Sequence, residues 1–296
     1  MKNIIKTLAI SIICITTCSS NEDRGYIPDG DASPYSFGAV VGSLRGDTLD
    51  EVSGMVASSR YADHYWVHND SGDKPRIYLI DHSGKLKATA TLPVTQRDWE
   101  DIAYGKGYIY IGEIGDNNAQ YTDKSVHRFR EPKVDTAKYQ EIMIDQVETM
   151  HFKFSDRQRD CETMMYDPTT DHLAFVTKRE LSALLYTTPF KATAKGEVIE
   201  VAPATTLPIA MTTAGDISDD GKRIIVKNYL AIYMWYRTAN EPLSALMQTE
   251  PLLLNYLPEP QGEAIAWHKS QNKFYTVSEE LKSITPAILE YSYLTE

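Results

Sequence analysis

The sequence predicts an all-β fold, a five-bladed β-propeller of four-stranded antiparallel blades, and three observations carry that expectation. Five segments share one opening, a small or acidic residue followed by a short apolar run. They start at Ser53, Glu100, Glu162, Ala214 and Glu263, spaced 47, 62, 52 and 49 residues apart, and self-similarity at such a period marks a repeat architecture. After each opening come turn residues and further strand-like runs. Finally, the fifth unit runs out of chain before a fourth strand, while a spare strand, residues 37–44, precedes the first unit. A ring closed by letting the N-terminal strand complete the last blade accounts for both. Six blades, with one hidden in the 62-residue second unit, is the alternative. The extra length there, about residues 118–140, is polar and reads as a long loop.

The elements within a unit follow in order. Each innermost strand turns through residues such as Asp167-Pro168-Thr169 or Asp219-Asp220-Gly221, which is hairpin chemistry. The second strands, 64–69, 108–114, 172–178, 223–227 and 273–279, are rich in the branched and aromatic side chains that fit a pleated surface. The third strands, 76–81, 126–130, 183–187, 231–236 and 287–293, each carry an aromatic residue: Tyr78, Phe129, Tyr186, Tyr233 and Tyr291. Fourth strands are expected near 86–92, 147–154, 198–201 and 252–256.

The chain has 296 residues, 42% hydrophobic and 24% charged, which is ordinary for a folded domain and ample for a core. No internal apolar run reaches the length of a membrane span. The formal net charge is −11, and the first 17 residues contribute only Lys2 and Lys6 to it. So acidic a body argues against nucleic acid as partner, because phosphate binding needs clustered Lys and Arg. Lys2, Lys6 and the apolar stretch 4–15 read as a signal peptide over residues 1–17. Cys18 after Thr16 and Thr17 resembles the lipidated cysteine of bacterial lipoproteins, and Ser19-Ser20-Asn21-Glu22-Asp23 resembles an acidic surface-export tag. A plain secretory signal is the alternative. The resemblance implies a bacterial cell-envelope protein, anchored through Cys18 in the outer membrane and facing outward. Residues 18–36, with Gly25, Pro28, Gly30 and Pro34, read as a flexible tether, leaving 37–296 as one propeller domain. In that body Cys161 is alone, so no internal disulfide forms, and no C-x-x-C pair suggests zinc.

In a propeller, the loops entering the innermost strands and those between second and third strands share one face. That places Glu100, Glu162 and Glu263 at equivalent positions around one mouth of the channel. Three converging carboxylates repel, so a cation binds, or a carboxyl keeps its proton, or Arg97, Arg159, Lys178, Arg179 and Lys227 form a salt-bridge network with them. The three glutamates are the catalytic and metal-ligand candidates. Ligand-binding candidates on the same loops are Asn69, Asp70, Asp98, Trp99, Asp101, Asp116, Asn117, Lys178, Lys227, Gln261 and Glu279. The oxygen-rich turns at 69–73 and 115–118 favour calcium as the cation, though neither has EF-hand spacing. Trp99 is the one tryptophan expected in a loop of this face; Trp66, Trp235 and Trp267 are expected in the core. No Gly-x-Ser-x-Gly, P-loop or dinucleotide fingerprint occurs.

The set His68-Asn69-Asp70-Ser71-Gly72, Asp98-Trp99-Glu100-Asp101-Ile102-Ala103, Ile114-Gly115-Asp116-Asn117 and Gln261-Gly262-Glu263-Ala264-Ile265-Ala266 resembles a group of uncharacterised secreted bacterial β-propeller lipoproteins. The likeness covers roughly residues 50–295, and a looser one reaches TolB-like and esterase-like-phytase propellers. It implies fold and secretion rather than a reaction. Three functions stay open at this point. One is a carboxylate-lined pocket that binds a small polar ligand or divalent cation, in glycan or nutrient handling. The second is hydrolysis of a glycoside or phosphoester by two of the glutamates. The third is a protein-interaction scaffold.

Overall fold

A computed structural model describes residues 32–45, 48–281 and 284–294. The expected signal segment, Cys18 and most of the tether lie outside the described residues. In chain order the strands are β1 (Ala39–Ser43), β2 (Val52–Ala57), β3 (His64–Asn69), β4 (Arg76–Asp81), β5 (Leu86–Thr91), β6 (Trp99–Gly105), β7 (Tyr108–Glu113), β8 (Lys124–Arg130), β9 (Gln140–Met143), β10 (Glu148–Phe154) and β11 (Cys161–Asp167). They continue with β12 (His172–Thr177), β13 (Leu184–Thr188), β14 (Ile199–Val201), β15 (Pro203–Thr206), β16 (Ala214–Ile217), β17 (Arg223–Lys227), β18 (Ile232–Tyr236), β19 (Leu252–Leu253), β20 (Gly262–Trp267), β21 (Lys273–Ser278) and β22 (Ala287–Ser292). One short helix, α1 (Leu243–Leu246), precedes β19.

Five sheets form, so the chain is a five-bladed propeller and the six-bladed alternative falls. The blades are β2-β3-β4-β5, β6-β7-β8-β10, β11-β12-β13-β15, β16-β17-β18-β19 and β20-β21-β22-β1. Strand β1 pairs antiparallel with β22, so the N-terminal strand completes the last blade as expected.

Alternation along the strands builds the core. In β3, Tyr65 and Val67 pack towards the fifth blade, while Trp66 between them packs towards the second. Every blade repeats this two-sided burial, and the apolar side chains sort into five clusters, one at each blade–blade interface. A sheet apolar on both faces has no stable place except between two neighbours, and a ring supplies that to all five blades.

Two expectations need correction. Residues 199–201 are not the fourth strand of the third blade. As β14 they add in parallel to β10 of the second blade, and β15 takes the expected place. The segment before β14 is tied to the same neighbour, since Thr193 N–H donates to Thr149 O at 3.0 Å. The long loop expected at 118–140 already carries β8 from Lys124, and at its end β9 adds in parallel to β5 of the first blade. Apolar alternation identifies a strand but not its partner, and both extra strands cover the edge of the preceding blade.

Candidate functional site

The innermost strands present their first residues at one mouth of the channel, and a local irregularity decides how. In β2, β6, β11 and β20 the pairing skips a residue: Ser53, Glu100, Glu162 and Glu263. A bulge at the same position in four blades turns these side chains out of the pleat, as an extra residue in one strand does. The fourth blade has no such shift in its pairing. All four bulged residues are buried.

On one side of the mouth lie five carboxylates. Oxygens of Asp70, Asp98 and Glu100 lie within 4.8 Å of one another, and so do those of Glu100, Asp160 and Glu162, with Glu100 common to both groups. The two groups differ in compensation. Arg179 Nε donates to Asp160 at 2.7 Å and Lys178 Nζ donates to Glu162. No salt bridge reaches Asp70, Asp98 or Glu100 among the described residues. The nearby cations are already engaged, Arg97 with Glu113 at 3.7 Å and Lys124 with Asp116 at 3.4 Å. Burial and the neighbouring carboxylates push Asp70 up to about 6 and Glu100 well above the ordinary carboxylate range. Buried oxygens without hydrogen-bond partners accompany them: Asp70 Oδ1, Asn69 Oδ1 and Gln96 Oε1. The Gln96 amide is held against the site by donating to Asp70 O at 2.8 Å. Such a donor set, all oxygen and mostly carboxylate, suits a hard divalent cation, and calcium before magnesium because calcium tolerates irregular coordination where magnesium demands a near-ideal octahedron.

The other side is organised around Lys178. Its ammonium donates to Glu162 and to Tyr229 OH at 3.1 Å, and stands 3.6 Å from Glu263 Oε1, to which Tyr229 donates. One lysine thus serves two buried carboxylates. Burial holds Glu162 at about 8 against the pull of Lys178. Glu279, also buried and facing Glu263, is raised to about 9, and Gln261 Nε2 donates to it at 2.6 Å. Lys227 donates to Gly262 O, and burial lowers its affinity for a proton.

Some sequence candidates turn out to have structural posts. Trp99 is not in a loop; it opens β6, fully buried in the cluster between the first and second blades, and has no open face for a ligand. Asp101 is fully buried too, accepting from Ile102 N at 2.8 Å and from Met164 N of the next blade at 2.9 Å, so it joins blades. Asp116 caps the turn at Gln120 and Tyr121 and pairs with Lys124. Asn117 is exposed and accepts from Arg179. The sequence candidates had omitted Asp160, Tyr229 and Gln96. Asp160 lies two residues before the third-blade opening at Glu162, as Asp98 does before Glu100, and that offset was the available signal.

No family model matches the chain, and no curated protein matches its sequence. Among solved structures, a crystal structure of a nidogen/laminin complex aligns at 11% identity, covering 77% of this chain and 72% of that one, with a TM-score of 0.45. The β-propeller domain of Myceliophteria thermophila Cps50 (Swd1) aligns at 9% identity over 87% of this chain and 100% of the other, with a TM-score of 0.42. Likenesses this distant carry nothing about function.

Proposed function

We propose that this protein is a ligand-binding propeller of the bacterial cell envelope, anchored through Cys18, whose axial mouth holds a calcium ion among Asp70, Asp98 and Glu100. The observation that supports it is the uneven compensation of the mouth. The Asp160–Glu162 side is paired with Arg179 and Lys178, whereas no salt bridge reaches the three clustered carboxylates Asp70, Asp98 and Glu100 among the described residues. A bound ion with open coordination positions, next to Lys178 and the Glu162 proton, would then take the oxygens of a small polar ligand.

Thermal unfolding with EDTA, calcium and magnesium tests this reading, because a ligand of the native state raises the midpoint by mass action. A calcium-specific rise that disappears in Glu100→Gln and Asp98→Asn supports it. No rise with either ion removes it.

A scaffold function is the second reading, favoured by apolar side chains on the same face. Leu181 is 100% exposed and Leu230 79% exposed, each on a loop between second and third strands. Alanine at both positions would then abolish a partner's binding while the calcium response stays intact.

A further inference from the structure

The channel has a second mouth, at the opposite ends of the same innermost strands. Where β6, β11 and β16 finish, a cavity of about 320 Å³ opens among Tyr104, Lys106, Tyr166, Pro168, Ile217 and Asp219. That volume falls at the lower end of the range for small-ligand pockets, roughly 300–1,000 Å³. Gly105 makes the shape possible, since a β-carbon there would stand 2.3 Å from the Tyr166 ring. The hairpin then turns sharply away, with Lys106 at φ 50° and Gly107 at φ 83°, both in the left-handed region.

The chemistry of the rim limits the ligand. Lys106 Nζ pairs with Asp171 at 2.5 Å, and the same aspartate accepts from Tyr166 OH at 2.6 Å. Lys269 Nζ pairs with Asp219 at 2.7 Å and lies 4.3 Å from the Tyr104 ring centroid. Both signs are present and matched, so an ionic ligand would have to break a pair. The floor is apolar and aromatic. A ligand that fits has a flat C–H face for Tyr104 and Pro168 and edge groups that both donate and accept, to meet ammonium and carboxylate together. Hydroxyl groups do both.

We infer that this second mouth binds a neutral sugar ring, stacked on Tyr104 with its hydroxyls shared between Lys106 and Asp219. The site is separate from the carboxylate mouth and stands on different residues.

Saturation-transfer NMR on the whole protein tests it, with methyl β-glucoside and N-acetylglucosamine as sugar probes and phenol as the neutral aromatic probe. Transfer to a sugar is expected, weakened about tenfold in Tyr104→Ala by loss of the stacked ring. Asp219→Ala, at an exposed position where the fold is not at stake, should weaken it several-fold. Glu100→Gln at the other mouth should leave it unchanged. The inference is overturned if neither sugar gives transfer, if phenol alone binds, or if sugar binding survives both Tyr104→Ala and Asp219→Ala.

Discussion

Gly115 leaves the space that Glu100 occupies: a β-carbon at residue 115 would sit 2.0 Å from Glu100 Oε1 and 2.5 Å from Asp98 Oδ2. Two ligand atoms of the proposed calcium site thus rest against one glycine backbone. The smallest test of the site is therefore Gly115→Ala. It adds a methyl group and removes no charge, so both carboxylates must move off their positions. The expected result is a calcium-induced rise in melting midpoint that is lost or reduced severalfold. The midpoint in EDTA should change far less, because the displaced atoms are side-chain ends. An unchanged calcium response would show that Glu100 and Asp98 do not hold the ion together.

The same cluster sets a pH dependence. Asp70, Glu162 and Glu279 keep protons in the folded protein up to about 6, 8 and 9, held there chiefly by burial. In the unfolded chain these groups lose their protons near pH 4. Between those values the native state binds more protons than the unfolded one, so stability falls as pH rises. The contribution is complete below about pH 4 and is lost through about pH 9. Asp81 acts in the opposite sense. Its hydrogen bonds from Ser83 and its pairing with Lys87 lower it to about 2 against the cost of burial, so its contribution is lost on acidification through that value. Urea unfolding in EDTA should therefore show stability declining from pH 6 to pH 9. Calcium should flatten the decline, since the ion takes the place of protons on Asp70 and Glu100. A metal-free stability that rises over that range would contradict the buried, protonated carboxyls.

How far the sequence carried the fold is clearest at its seam. The spare strand before Ser53 and the missing strand after Tyr291 implied each other, and β1 does lie on β22. Strand partners were harder to foresee. Ile199 and Val201 alternate like any edge strand, but their attachment to β10 depends on a crossover that pattern does not encode. At the mouth, the repeat correctly aligned Glu100, Glu162 and Glu263. It could not show the bulges, which separate Glu100 at the mouth from its neighbour Asp101, used between blades. Nor could it show which carboxylates would be paired, because Arg179 and Lys178 reach Asp160 and Glu162 across 19 and 16 residues.

Asp101 makes a fold-level prediction. Its carboxylate accepts from Ile102 N and, across the blade interface, from Met164 N. Asp216 repeats the arrangement two blades on, accepting from Trp267 N at 2.8 Å. Asp101→Ala leaves two buried amides without acceptors, at a cost of roughly 1–3 kcal/mol for each. The melting midpoint should drop by several degrees, and calcium should still raise it. Loss of the calcium response without loss of stability would instead mark Asp101 as a ligand.

Ring closure depends on Tyr35 as much as on β1. The side chain is fully buried; its hydroxyl donates to Asn272 Oδ1 at 2.5 Å, and its carbonyl accepts from Asn255 Nδ2 at 2.8 Å. The ring packs against Trp267, Phe274 and Tyr293, with centroids 5.2–5.7 Å away. Tyr35 therefore pins the N-terminal segment to the last blade before β1 begins. Tyr35→Ala removes a buried aromatic ring, which costs about 3–5 kcal/mol, whereas Tyr35→Phe loses only the hydroxyl bond, about 1 kcal/mol. Both follow from chemical denaturation of the purified protein. A chain shortened to begin at residue 45 should fare worse than either substitution, because β22 then becomes an open sheet edge, and it should associate as concentration rises. If the shortened chain stays monomeric and as stable as the intact one, the seam does not hold the ring.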